Sequence, residues 1–383
     1  MLITITEVEL SLTRLDLVHE FETSSHRKSH LDHILIRATA SDGTVGWGEC
    51  ASPSDPYYCG ESTWSCWHLL SEYLVPLLLG KPWETPQDAA RHTAVVSGNN
   101  FARAGLEMAC WDLYGKSRGT PLADLLGGTA DRVAAGVSLG IEPTVDELLE
   151  QVSRHVGDGY RRVKLKIRPG WDIEPVRAVR AAFPGVALQV DANTGYTPGQ
   201  SELLTALDGF GLLMIEQPYA EDDLLSHAEL AARLDTPVCL DESITSVPVL
   251  RTALRLGAAD IVNIKVSRLG GLYPAKSVHD VCAEAGVPVW CGGMHEFGIG
   301  RAANLALAAL PGFTLPSDVS GSDKYYRRDV VSPPIRAVDG TVEVPRAEPG
   351  IGVTVEEHVV AEHTLRTWTG SVDRTSTTEG SRV

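Results

Sequence analysis

The 383-residue chain is 43% hydrophobic, which is enough to bury a large core, and we expect one large domain with a smaller companion. A formal net charge of −17 predicts repulsion from nucleic-acid phosphates and anionic membrane surfaces, and no stretch approaches the length of a membrane span. The seven cysteines contain no CxxC pair, which favours reduced thiols over a disulfide framework or a zinc site. We therefore expect a cytoplasmic protein that binds neither nucleic acid nor membrane.

The first 130 residues are typical of an antiparallel sheet followed by helices. Apolar and polar residues alternate to about residue 48, with a Ser-Asp-Gly turn at 41–43. From Ser62 to about Leu126 the apolar spacing becomes helical. This pattern predicts an α+β domain over residues 1–130. In it, Tyr57 and Tyr58 are expected to pack in the core rather than to contact a ligand.

After Asp131, short apolar runs alternate with amphipathic stretches up to about residue 324. Eight runs read as strands: AAGVSLGI, RRVKLKI, VALQVDAN, GLLMIEQP, PVCLDES, DIVNIKVS, VPVWCGG and FTLPSD. This alternation predicts a parallel sheet covered by helices and closed into a barrel over residues 131–324. Residues 325–360 are expected to pack back onto the N-terminal domain, and residues 361–383, rich in Ser, Thr and Gly, to form a flexible tail.

Charged residues stand at the ends of five successive predicted strands. In chain order they are Lys166, Asp191, Glu216, Asp241 and Lys265, and their numbers differ by 25, 25, 25 and 24. This period matches one strand-helix unit, so the side chains should meet at the C-terminal rim of the barrel. Three carboxylates would repel each other there unless a cation bound between them, and oxygen ligands favour Mg²⁺, with Mn²⁺ or another divalent ion as an alternative.

The lysines predict acid-base chemistry. Lys164 and Lys166 are two residues apart on one strand and point to the same inward face, and Lys265 faces them across the barrel. Because neighbouring ammonium groups lower each other's pKa, we expect Lys166 to act as a base with Lys164 depressing its pKa. A substrate with an acidic proton next to a carboxylate suits such a site.

The motifs together resemble the enolase superfamily, muconate-lactonizing subgroup. The segments KLKI, VDAN, IEQP, CLDES, NIKVSRLGG and WCGGMHEFGIGRAANLALAAL carry this resemblance, and GWGEC, GYRRVKLKIRPGWD and LPSDVSGSDKYY are similar to the o-succinylbenzoate synthase / N-acylamino acid racemase family. The resemblance implies an α/β fold, a (β/α)7β-type TIM barrel with an N-terminal α+β capping domain that the C-terminal segment completes. It also implies a homo-oligomer.

The resemblance assigns roles to further residues. It makes Asp191, Glu216 and Asp241 metal ligands supported by Asn193 and Glu242, and Lys166 and Lys265 the acid-base pair. The remaining positions implied to contact substrate are Phe21 in a lid, Ser138, Arg268, Met294, His295 and Glu296. His295 and Phe297 depart from the residues usual in this motif, which puts the substrate in doubt rather than the proton abstraction.

Two reactions can begin with this removal of the proton next to the carboxylate. We expect racemisation of N-acyl (N-succinyl) amino acids, because Arg268 matches racemising relatives. The alternative is o-succinylbenzoate synthesis by elimination of water, or a related lyase or cycloisomerase. A more distant alternative is a non-catalytic oligomeric scaffold, which would leave the paired lysines and carboxylates without use.

Overall fold

A computed structural model describes residues 2–22 and 27–372, with side chains for residues 2–20 and 28–372. The strands are β1 Ile3–Glu22, β2 Arg27–Ala40, β3 Val45–Cys50, β4 Pro82–Trp83, β5 Arg132–Ala134, β6 Val137–Leu139, β7 Arg162–Lys166, β8 Ala187–Asp191, β9 Ile215–Glu216, β10 Val238–Leu240, β11 Ile261–Ile264, β12 Val289–Cys291, β13 Val331–Ser332, β14 Ala337–Val338, β15 Thr341–Glu343, β16 Thr354–Val355 and β17 Thr364–Ser371.

The α-helices lie in the capping layer, between the parallel strands and near the C-terminus. They are α1 Thr63–Leu69, α2 Val75–Leu78, α3 Pro86–His92, α4 Asn100–Arg118, α5 Leu122–Leu126, α6 Val145–Gly157, α7 Ile173–Ala182, α8 Ser201–Thr205, α9 Leu224–Ala231, α10 Val247–Leu256, α11 Val266–Leu269, α12 Leu272–Ala285, α13 Gly298–Ala308 and α14 Glu357–His363. A π-helical turn, Leu70–Leu74, joins α1 to α2, and 3-10 turns occur at Pro198–Gln200, Asp208–Phe210 and Ser322–Lys324.

The capping domain is an antiparallel sheet against which α4 packs. β2 pairs with both β1 and β3, as the alternating sequence predicts. The strand and the helix approach closely at glycines: a Cβ atom on Gly48 would lie 2.1 Å from the carbonyl oxygen of Gly105. The GWGE sequence therefore brings the helix directly onto β3.

The last described strand corrects the prediction of a flexible tail over residues 361–383. β17 pairs antiparallel with β1, from Glu7 opposite Ser371 to Thr13 opposite Thr364. The prediction is therefore wrong up to Ser371, and residues 373–383 lie outside the described part of the chain. Threonine and tryptophan favour strands, and the free edge of β1 supplies the hydrogen bonds that the composition alone does not indicate.

The larger domain is a ring of parallel strands. Seven strands are hydrogen-bonded in the order β12-β11-β10-β9-β8-β7-β6. The eighth predicted run, residues 313–318, forms single parallel bridges from Phe313 to Val289 and from Ser317 to Ala135, and so connects the two edges of the sheet. Pro316 has no N–H to donate, which accounts for bridges in place of a regular strand.

The C-terminal segment contacts both parts of the chain. The backbone N–H of Ile351 donates to Asp112 Oδ1 on α4 over 2.8 Å, and β15 pairs with β5 at the entry to the barrel. Across the described residues, no helix has both the length and the apolar character that a membrane crossing requires. All seven cysteines carry free thiols.

Candidate active site

Three carboxylates lie at the C-terminal ends of three neighbouring strands. Asp191 ends β8, Glu216 ends β9 and Asp241 follows β10 directly. All three are buried, with exposed fractions of 1%, 0% and 0%. Because parallel strands end at one edge of a sheet, the 25-residue spacing places these three residues at the same rim of the barrel.

Two lysines flank the carboxylates. Lys166 ends β7 and donates to Asp191 over 2.7 Å, while Lys265 follows β11 and donates to Asp241 over 2.8 Å. Strands β8, β9 and β10 lie between them in the sheet. The two lysine amines therefore approach the set of three carboxylates from opposite sides.

Lys164 lies deeper in the barrel and makes the most ion pairs of the three lysines. Its Nζ is 3.1 Å from Asp191, 3.0 Å from Glu216 and 2.8 Å from Asp318. Burial by itself would lower the pKa of Lys164, but these negative charges outweigh burial and hold that pKa well above its ordinary value. The expectation of mutually lowered pKa values is therefore wrong for Lys164. Its predicted effect on Lys166 stays a prediction.

The carboxylates differ in the charge that surrounds them. Burial and the neighbouring charge of Asp191 raise the pKa of Glu216 to about 8. Burial acts in the same direction on Asp191, but Lys166 and Lys164 outweigh it and hold the pKa of Asp191 below its ordinary value. Glu216 thus retains a proton more readily than Asp191 does.

Arg268 and Tyr58 complete the surroundings of Lys265. The Arg268 guanidinium is buried and donates to both the backbone oxygen and the carboxylate of Asp241. The Tyr58 hydroxyl lies 3.0 Å from Lys265 Nζ and 3.1 Å from Arg268 Nη2. Tyr58 packs against the capping-domain core, as predicted, while its hydroxyl reaches the site, whereas the prediction for Tyr57 is wrong because Tyr57 is 69% exposed. Tyr58 thus reaches the barrel from the loop between β3 and α1 of the capping domain.

The supporting residues hold the charged groups in place. Asn193 accepts from Lys166 and donates through Nδ2 to Glu242 over 2.9 Å. Sequence reasoning missed Gln189 and Asn263, which donate to the two oxygens of Glu216, each over 2.8 Å. Each stands two residues before a strand-end charge, so the alternation of strand side chains was a signal that could have found them.

Asp318 is a further site residue that sequence reasoning missed. It pairs with Arg162 over 2.7 Å and with Lys164 over 2.8 Å, and it accepts from Ser138 Oγ over 2.9 Å. Burial would raise the pKa of Asp318, but Arg162 and Lys164 hold it well below its ordinary value. Ser138 thus lines the site, as predicted, while its hydroxyl is bonded to this carboxylate.

A cleft opens above the lysines. Three residues that were predicted to contact substrate, Ser138, Met294 and His295, line this cleft. The other lining residues include Lys164, Lys166, Lys265, Asn193, Glu242, Lys28, Leu31, Tyr57, Tyr58 and Tyr325. His295 stacks on Tyr325 at 4.7 Å, and burial together with nearby positive charges lowers its pKa well below the ordinary value, so the ring is neutral.

Three of the predicted substrate contacts are not confirmed. Glu296 is buried beside Gly293 and Gly300 and does not line the cleft. The side chain of Phe21 lies outside the described residues, although its backbone pairs with Lys28. Arg268 is also absent from the cleft wall and acts on the site through Asp241 and Tyr58.

The carboxylates suit a hard divalent cation by their chemistry. Three acidic groups are buried on adjacent strands, and burial together with the charges of Asp191 and Asp241 raises the pKa of Glu216. Their oxygens are bonded to lysine and arginine, and within residues 2–22 and 27–372 no three acidic, histidine or cysteine side chains converge on one point that would hold an ion. Ion binding therefore requires these cationic side chains to move away from the carboxylates.

A capping domain over a ring of parallel strands, with lysines and carboxylates at one rim, defines an enzyme of the enolase superfamily. Residues 7–127 match the mandelate racemase / muconate lactonizing enzyme N-terminal domain, and residues 147–359 match the enolase C-terminal domain-like family. The chain belongs to the mandelate racemase / muconate lactonizing enzyme family. Members of this superfamily use a lysine or histidine base with a divalent metal.

Proteins with sequences similar to this chain are named for two different reactions. The chain is 48% identical to an o-succinylbenzoate synthase from Geobacillus kaustophilus, covering 95% of this chain and 97% of that protein. It is 47% identical to an N-succinylamino acid racemase from Amycolatopsis, covering 95% and 99%. A crystal structure of an enolase superfamily member from Listeria innocua matches with a TM-score of 0.93 at 36% identity, covering 96% of this chain and 99% of that one.

Proposed function

We propose that this enzyme racemises N-acyl amino acids, with N-succinyl amino acids as the preferred class, by moving the proton next to the carboxylate. The observation that supports this is the position of Lys166 and Lys265 on opposite sides of three carboxylate-bearing strands. A single base would serve elimination equally well. Two amines on opposite sides suit a reaction that removes a proton from one face and returns one to the other.

In the proposed reaction, one lysine is neutral and the other is an ammonium group at the start. The neutral amine removes the α-proton, the ammonium group donates a proton to the opposite face, and the two roles exchange for the other enantiomer. Lys166 and Lys265 are each bonded to a carboxylate in the structure, so one must leave its carboxylate before it can accept a proton.

We propose Asp191, Glu216 and Asp241 as the ligands of Mg²⁺, with Mn²⁺ as an alternative, and Asn193 and Glu242 as their support. A divalent cation bound there would stabilise the negative charge that develops on the substrate carboxylate. Burial and the charge of Asp241 raise the pKa of Glu242 to about 7. Glu242 therefore retains a proton more readily than an ordinary glutamate, which suits a supporting position beside three other carboxylates.

The second candidate is o-succinylbenzoate synthesis, which the similarity to the Geobacillus kaustophilus enzyme favours. In that reaction Lys166 would remove the proton and then return it to the departing hydroxyl group, which leaves as water. Lys265 would remain a cation beside the developing charge. The cytoplasmic location and the homo-oligomeric state that the sequence suggests stay predictions.

The test follows the α-proton in deuterium oxide by NMR, with Mg²⁺ and each enantiomer of an N-succinyl amino acid. The native enzyme should exchange the α-proton of both enantiomers. Lys166→Ala and Lys265→Ala should each retain exchange with one enantiomer only, and each with a different one. Lys276→Ala is the control, because Lys276 pairs with Asp280 on the outer helix α12.

Two outcomes would contradict racemisation. If no N-acyl amino acid exchanged its α-proton in either enantiomer, racemisation of this substrate class would be excluded. Exchange lost equally for both enantiomers in both variants would exclude the two-base scheme. A parallel assay for formation of o-succinylbenzoate, followed by absorbance, decides whether elimination is faster than racemisation.

A further inference from the structure

One cation at the mouth of the cleft differs from those at its base. Lys164, Lys166 and Lys265 each pair with at least one carboxylate. Lys28, on β2 of the capping domain, lines the same cleft and forms no ion pair among the described side chains. The mouth therefore holds a positive charge that no side chain in the described part of the chain neutralises by direct contact.

The surroundings of Lys28 make this charge unfavourable. Burial lowers the pKa of Lys28, and the opposing attraction of Asp55 does not restore it. Asp55 lies beyond ion-pairing distance, and its own Oδ1 is buried without a hydrogen-bond partner. A partly desolvated ammonium group without a partner costs free energy, which a bound anion would recover.

The position of Lys28 indicates which part of a substrate it can meet. The reacting carboxylate must lie near Lys166 and Lys265 at the strand ends, deep in the barrel. Lys28 belongs to the capping domain, so it faces the end of the substrate that points away from the reacting carbon. Leu31, Pro53 and Tyr58 line the cleft as well, and their apolar and aromatic surfaces suit a short hydrocarbon linker.

We propose that Lys28 binds a second anionic group at the far end of the substrate's acyl arm, and that it thereby selects dianionic over monoanionic substrates. The inference rests on the proposed function for the position of the reacting carboxylate. The neutral His295 ring lies on the same wall and adds a polar surface without a competing charge. A terminal carboxylate is the anion that this arrangement accommodates most simply.

The test compares two ligands that differ only at the end of the acyl arm. N-Succinylphenylglycine ends in a carboxylate, and N-butanoylphenylglycine has a methyl group in its place. Binding of each to the Mg²⁺-containing enzyme is measured by isothermal titration calorimetry, and kcat/KM by α-proton exchange. For each variant, the quantity of interest is the ratio of the succinyl value to the butanoyl value.

Lys28→Met should lower this ratio at least about tenfold, mainly through binding and KM, because it removes a partly desolvated charge pair. Lys28→Arg keeps the cation and should retain most of the preference. Asp55→Asn should raise the ratio, since it removes the carboxylate that competes for Lys28. Lys81→Met is the matched control, because it removes one positive charge from an exposed position of the capping domain, outside the cleft.

The assignment of Lys28 would be overturned if the succinyl-to-butanoyl ratio changed less than twofold in Lys28→Met, or if it changed equally in Lys81→Met. Failure of the native enzyme to bind the succinyl ligand would overturn it as well. A native enzyme that binds the succinyl ligand but exchanges no α-proton would contradict the proposed function alone. The binding ratio would still decide the role of Lys28 in that case.

Discussion

Asp318 connects the eighth segment of the barrel to the cations in its interior, and its replacement tests the charge balance there. Asp318→Asn keeps the shape of the side chain and removes its charge. Arg162, which is 0% exposed and has two guanidinium nitrogens without partners, would then lose its ion pair. Breaking a buried pair in this way costs about 3–5 kcal/mol of unfolding free energy.

Urea denaturation followed by tryptophan fluorescence measures this effect, since Arg162 lies 5.2 Å from the centre of the Trp290 ring. Asp323→Asn is the control: Asp323 and Arg336 are both more than half exposed and 3.9 Å apart, so the variant should lose less than about 1 kcal/mol. Adding Arg162→Met to Asp318→Asn should recover part of the loss. If Asp318→Asn were as stable as the control variant, the charge-balance explanation would be refuted.

Two other predictions concern Glu107 and Tyr58. Burial raises the pKa of Glu107 to about 7, so its contribution to stability is complete below about pH 4.5 and is lost as pH rises through 7, by up to about 3 kcal/mol. In urea denaturation, Glu107→Gln should therefore compare more favourably with the native protein at pH 8 than at pH 5, and a difference independent of pH would contradict this. Tyr58→Phe removes a hydroxyl bonded to Lys265 and Arg268 and should lower kcat for α-proton exchange about tenfold with little change in stability, whereas Tyr57→Phe, at an exposed position, should change neither.

The strand-end charges could be predicted because they obey local rules. The 25-residue period places each at the end of its strand, and the two-residue alternation turns Lys164 toward the same interior as Lys166. The same rules would have found more residues. Gln189 precedes Asp191 by two positions. Asp318 lies 26 positions after Gly292, which directly follows strand β12, so both contacts were within reach of the sequence.

Other contacts depend on segments that are far apart in the chain. Tyr58 meets Lys265 across 207 positions, and its neighbouring sequence gives no sign of the barrel. His33 is 1% exposed and its Nδ1 lies 2.7 Å from Glu49, a partner that the sequence around His33 does not indicate. Local periodicity describes the face of a strand or helix that is buried. It does not identify the partner that covers that face.

The capping domain also holds the barrel loops from which the site is built. Glu49 on β3 accepts from the backbone N–H groups of Phe297 and Gly300, both over 2.7 Å, at the start of α13 and directly after the loop that carries Met294 and His295. Glu107 on α4 accepts from two backbone N–H groups at the start of α12, over 2.8 and 3.0 Å, directly after the segment that carries Arg268.

Both capping carboxylates therefore satisfy the free N–H groups of a barrel helix whose preceding loop contributes to the site. The lysines proposed for proton transfer stand at strand ends, which the barrel itself fixes, whereas Met294 and His295, which line the cleft, stand on a loop that the capping domain holds. We therefore expect a substitution in the capping domain to move the cleft wall at His295 with less effect on the position of Lys166.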